Sequence, residues 1–233
     1  MKIDVVLADD HPALIAGMKF IIGSSSVLNI SGVAQNPDEL VQLLEKVHCD
    51  VLVTDYSMPD CTREDGMAML SNLRRRYPDL RIIVFSVIEN PAIAREIARI
   101  GIQSIISKKD RLDRLVSAIH AVYAGAVYFP DPEGKQDATL MRISLEKSDK
   151  EVLSPREKEV VRLYVAGLPG KEIGRRLKIT KQTVSSQKAS AMRKLGITRD
   201  ADLFQFSFEV GLNAPESSTP PVTDQGESDI SDE

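Results

Sequence analysis

Over its first 124 residues the chain alternates five short apolar runs with five longer segments of helical period. The runs read "IDVVLA", "LNISGVA", "VLVT", "RIIVFS" and "QSIIS", and the spacing predicts helices over 12–22, 37–47, 66–77, 91–100 and 111–124. A strand without polar alternation is buried on both faces, and strands that each feed a helix build a parallel sheet covered on both sides. The expected architecture is therefore an α/β, doubly wound (βα)5 sheet of flavodoxin-like type.

The remainder changes character. Residues 125–152 carry Gly, Pro and charge without a clear period and are expected to form a linker, residues 153–213 show helical patterns alone, and 214–233 are rich in Pro, Ser and acid, with too little to bury for a fold. A chain of 233 residues suits two modest cores. Charge divides in the same places: residues 1–150 hold 18 Lys and Arg against 21 Asp and Glu, residues 151–213 hold 12 against 7, and the last 20 hold 0 against 6. A basic segment inside an acidic chain points to an anionic partner for that segment. The two cysteines, Cys49 and Cys61, are too few for a disulfide framework or a zinc site. With no signal-like start and no apolar run of membrane length, the expected setting is the cytoplasm.

In such a sheet, ligands sit beyond the carboxyl ends of the strands, where strands 1 and 3 adjoin in the order 2-1-3-4-5. The first strand ends "LADD" and the third "VTD", so Asp9, Asp10 and Asp55 are expected to converge on one rim. Three carboxylates that close repel one another unless a cation joins them, and oxygen ligands of this kind suit Mg²⁺ better than zinc. Strands 4 and 5 deliver Ser86 and Lys108 to the same rim. Anions, a cation, a hydroxyl and a fixed Lys suit phosphoryl transfer.

This set of residues resembles the receiver domain of two-component response regulators, over about residues 3–124. The resemblance implies that Asp55 is the phosphoacceptor, that Asp9 and Asp10 help hold Mg²⁺ with Asp55 and the backbone carbonyl of Ser57, and that Ser86 and Lys108 attend the phosphoryl group. One departure is Ile105, three residues before Lys108, where many receivers carry a Tyr or Phe switch. His11, in "DDHP", reads as a loop residue at the start of the first helix. The competing readings are a degenerate receiver that is never phosphorylated, and an enzyme of the haloacid dehalogenase type. The latter would normally carry a second Asp two residues after the nucleophile, where this chain has Ser57.

In the basic segment, Ser154, Pro155 and Glu157 form a capping-box signature. A short helix "KEIGRRL", the turn "KIT" and the helix "KQTVSSQKASAMRKL" follow. Val184, Ala191, Met192 and Leu195 share one side of that last helix, leaving a basic, hydroxyl-rich face, as expected of a helix-turn-helix that reads the major groove. The pattern resembles the four-helix DNA-binding domains of the LuxR/NarL/FixJ class. The residues expected to meet DNA are Lys181, Thr183, Ser185, Ser186, Lys188 and Arg193.

Together these readings predict a transcriptional response regulator, not an enzyme, with a receiver at 1–124, a linker at 125–152, a DNA-binding domain at 153–213 and an acidic tail at 214–233. Its expected partners are double-stranded DNA, a histidine kinase or phosphotransfer protein, a second copy of itself and an auxiliary regulator. The alternative is a phosphorelay carrier or antagonist whose helical domain binds protein. Candidate dimer surfaces are the helix over 111–124, whose Leu112, Leu115, Val116, Ile119 and Val122 mark a mainly core face, and "DLFQFSFEVGL". Of Phe204, Phe206 and Phe208 in that last stretch, two are expected to be buried in their own domain.

Overall fold

The computed structural model describes residues 2–59, 66–88, 90–109, 111–127 and 153–212. The acidic tail, Cys61, and the predicted linker from residue 128 onward lie outside the described residues. Five strands, β1 (Ile3–Ala8), β2 (Leu28–Ala34), β3 (Val51–Thr54), β4 (Arg81–Ser86) and β5 (Ser104–Ser107), form one parallel sheet in the order β2-β1-β3-β4-β5. The helices between and after them are α1 (Pro12–Gly23), α2 (Pro37–Leu44), α3 (Gly66–Arg76), α4 (Pro91–Arg99) and α5 (Asp113–Tyr123).

The central strands are apolar throughout because both faces are covered. Val5, Leu7, Val53, Ile83 and Phe85 pack beneath α1 and α5, whereas Val6, Leu52, Ile82 and Val84 face Leu70, Ile93 and Ile97 of α3 and α4. Leu115, Ile119 and Val122 of α5 are spent on that first layer, which leaves them no free apolar face. Cys49 is packed against the core, where burial pushes its thiol up to about 12 and leaves it inert at neutral pH.

The second unit comprises α6 (Pro155–Val165), α7 (Gly170–Leu177), α8 (Lys181–Lys194) and α9 (Asp200–Glu209). The capping box predicted at Ser154 is present: its hydroxyl accepts from Glu157 N, and the Glu157 carboxylate accepts from Ser154 N. Between α7 and α8, Lys178 adopts a left-handed φ of 54° and Thr180 caps α8 by accepting from Thr183 N. Val160, Leu163, Ile173 and Val184 fill the angle between α6, α7 and α8.

The expectation for α9 is corrected. Only Phe206 is buried; Phe204 is 41% and Phe208 77% exposed. On a helix, positions 203, 206, 207 and 210 point one way, so 204 and 208 share the opposite side.

Candidate phosphoacceptor site

Backbone pairing carries each strand end to the same rim. Asp55 N donates to the Ala8 carbonyl at 2.8 Å, Asp9 N to Ala34 at 3.1 Å, and Lys108 N to Ser86 at 3.1 Å. The rim therefore collects Asp9, Asp10, Asp55, Ser86 and Lys108, as the sequence predicts. Asp9, Asp55 and Ser86 are buried.

The Lys108 ammonium lies 2.5 Å from Asp55 Oδ2 and 2.8 Å from Asp9 Oδ2, so one cation bridges the two carboxylates. Burial alone would lower the Lys108 pKa, but its hydrogen bonds to Asp55 and Asp9 outweigh that and hold it above its ordinary value. Asp55 Oδ1 accepts from Tyr56 N at 2.6 Å, which fixes the carboxylate's rotation. His11 occupies the N-cap position of α1 without capping it; its Nδ1 instead stands 2.6 Å from Asp10 Oδ1 and 3.2 Å from Asp9 Oδ1.

Whether these residues suit a divalent cation can be judged from their donors. Ligand atoms of Asp9, Asp10, His11 and Asp55 lie within 4.8 Å of one another; within the cluster Asp9 Oδ2 is met by Lys108 Nζ and Asp10 Oδ1 by His11 Nδ1. Three carboxylates brought this close repel one another more than the single Lys108 ammonium can offset, and their hard oxygen donors fit a hard cation. Ser57 and Ser86 line the same cleft, which has a volume of about 900 Å³. Ile105 is half-buried on β5 and packs against the core on the α3 and α4 side.

The predicted DNA-reading residues divide. Lys181, Ser185, Ser186 and Arg193 are exposed on α8, while Val184 and Ala191 are buried beneath them. Thr183 is half-buried, with its hydroxyl 2.9 Å from that of Thr180. Lys188 is drawn inward against Asp200 and Tyr164. Sequence reasoning missed the residues that join the two units: Tyr56, Asn90, Arg95 and Glu209. The available signal was a carboxylate, Glu209, in a mostly apolar helical stretch, and it named no partner.

Among the described residues, no helix is long and apolar enough to cross a membrane. Residues 5–120 match the response regulator receiver domain family, and residues 151–207 match the luxR family of bacterial regulatory proteins. The chain is 33% identical over 212 residues to the transcriptional regulatory protein RcsB of Escherichia coli strain K12, which covers 91% of this chain and 97% of that protein. It is similar to a solved RcsB–DNA complex, with 32% identity and a TM-score of 0.77 over 90% of this chain and 100% of that one. A Salmonella typhimurium RcsB structure, described as showing conformational dynamism for DNA interaction, gives 33% identity and a TM-score of 0.54 over 88% of this chain and 98% of that one. The chain belongs to the response regulators that join a receiver domain to a luxR-family regulatory domain, the family of RcsB.

Proposed function

We propose that phosphorylation of Asp55 controls duplex-DNA binding through α8, in a cytoplasmic regulator that acts as a dimer. The observation that carries the reading is the bridging of Asp55 and Asp9 by Lys108 at the carboxyl rim of the sheet. A carboxylate so held is an in-line nucleophile. One Asp55 oxygen attacks the phosphorus of a phosphohistidine, the P–O bond forms as the P–N bond breaks, and the imidazole keeps the electron pair and takes a proton.

Lys108 then stays beside the new acyl phosphate and pairs with its oxygens, while the Ser86 hydroxyl is placed to donate to one of them. A magnesium ion held by Asp9, Asp10, Asp55 and the Ser57 carbonyl would offset the negative charge of the incoming phosphoryl group.

For DNA, the support is the exposed face of α8 within a basic unit, together with the arrangement of the two domains. Solved RcsB–DNA complexes match with TM-scores of 0.76 to 0.77, and RcsB structures of similar identity and coverage whose descriptions name no bound DNA match with 0.54 to 0.69, which favours a domain placement like that of the DNA-bound form. A single module of this size makes few base contacts, which favours two copies on adjacent half-sites. Binding of the full chain to duplex DNA, titrated against salt with and without beryllofluoride, tests the reading. A steep salt dependence is expected, and binding indifferent to salt would overturn it.

A further inference from the structure

The receiver and the carboxyl-terminal helices meet through α9 and the carboxyl end of α8. Tyr56, the residue after Asp55, is 5% exposed, and its phenol donates to Glu209 Oε2 at 2.6 Å. Asn90, buried ahead of α4, donates to the Asp202 carbonyl at 3.0 Å while its own oxygen accepts from Ala92 N. Arg95 of α4 donates to the Lys194 carbonyl at 3.0 Å, at the negative end of α8. Beneath these bonds, Leu203 and Phe206 of α9 join Met58, Ile93 and Ile97 of the receiver in one buried apolar cluster.

Gly66 leaves room for the pairing. Its φ is 58°, and a Cβ there would stand 3.0 Å from Glu209 Oε2 and 3.4 Å from the Tyr56 ring. None of these bonds uses the outward face of α8, where Lys181, Ser185, Ser186 and Arg193 remain exposed. The docked arrangement is therefore no lock over the reading helix.

We propose that Tyr56 and Glu209 form an interdomain latch that holds the DNA-binding domain on the receiver with its reading face open, and that this latch carries the phosphorylation state of Asp55 to α9. The second half rests on the reading of Asp55 given above. The covalent path is one peptide long. Tyr56 N donates to Asp55 Oδ1, so loading that carboxylate re-aims the acceptor of the residue whose phenol grips α9. Gln205 and Glu209 also line the cleft that contains Asp55, Ser86 and Lys108, so added negative charge there acts on Glu209 through space. Coupling of this kind is reciprocal: what loads Asp55 must shift the latch, and the state of the latch must shift loading. Tyr56 is a positioning residue in this scheme, not a catalytic one.

Hydrogen exchange on the full-length protein tests this, with Tyr56→Phe, which keeps the buried ring, alongside Glu209→Ala and the double variant. Without a phosphoryl mimic, α9 amides should exchange about tenfold faster in each single variant, and no faster still in the double, with α6 and α7 unchanged. Beryllofluoride should change α9 exchange in the wild type and leave it unchanged in Tyr56→Phe. Equal α9 exchange in wild type and single variants, or a full beryllofluoride response in Tyr56→Phe, would overturn the latch. Acetyl phosphate labelling run alongside separates the two readings. No label on wild-type protein overturns Asp55 as phosphoacceptor, whereas label on Asp55 with no α9 response overturns the latch alone.

Discussion

The Lys188 ammonium lies 3.9 Å from the centre of the Tyr164 ring and 2.8 Å from Asp200 Oδ1. Tyr164 also donates to Asp200 Oδ2 at 2.7 Å, so the three side chains tie α6, α8 and α9 together. Burial would lower the Lys188 pKa, but the bonds to Asp200 and Tyr164 hold it above its ordinary value.

The sequence pattern treats Lys188 and Lys181 alike, as basic residues of one helix, and the structure separates them. Lys188→Ala should lower the stability of the helical domain by about 1–2 kcal/mol and weaken DNA binding without changing its salt slope. Lys181→Ala should leave stability unchanged and reduce the slope by about one unit. Thermal melts paired with salt titrations check both, and a lower slope in Lys188→Ala would return that residue to the phosphate backbone.

Asp55→Asn keeps the shape of the side chain but removes the nucleophile and the charge facing Lys108. Labelling by acetyl phosphate with Mg²⁺ should vanish. Asp79→Asn, a substitution remote from the rim, should label at the wild-type rate. Intact-mass spectrometry reads both, and labelled Asp55→Asn protein would remove the assignment.

Glu157 predicts a pH dependence. Burial raises its pKa, yet hydrogen bonds from Lys194 and from Ser154 outweigh that and hold it at about 2, against an ordinary 4.5. A folded value below the unfolded one stabilises fully above the unfolded pKa, and the contribution fades as pH falls from 4.5 toward 2. The gap in melting temperature between wild type and Glu157→Gln, on the order of 2 kcal/mol in stability near pH 6, should therefore narrow steadily as the solution is acidified to about pH 3. A gap that stays constant over that range would rule out the ionised carboxylate as the cause.

What the sequence made legible follows from the range of each interaction. Asp9, Asp55, Ser86 and Lys108 could be placed together because unbroken apolar runs mark buried parallel strands, and parallel strands end on one rim. The start of α6 was legible because Ser154 and Glu157 are three residues apart. The Phe residues of α9 misled because three aromatics at spacing two look contiguous in a string, while a helix sends 204 and 208 to the side opposite 206. Tyr56 and Glu209 lie 153 residues apart and follow no period, so no local pattern could pair them.

Two glycines give a final contrast. A Cβ on Gly174, inside α7, would lie 2.7 Å from the Ile179 carbonyl oxygen, and one on Gly32, in β2, would lie 2.7 Å from the Leu43 side-chain methyls. The distances are equal, but the obstacles are not. Ile179 belongs to the turn that sets α8 against α7 and is anchored by its own N–H bond to the Gly174 carbonyl, so it can yield only by opening the turn. Leu43 is partly buried at the edge of the core and can change rotamer. Gly174→Ala should therefore destabilise the helical domain by roughly 2–3 kcal/mol and displace α8 enough to abolish DNA binding, whereas Gly32→Ala should change stability by less than about 1 kcal/mol. Chemical denaturation and DNA titration of the two variants would decide, and equal losses in both would show that α7 and α8 can part without harm.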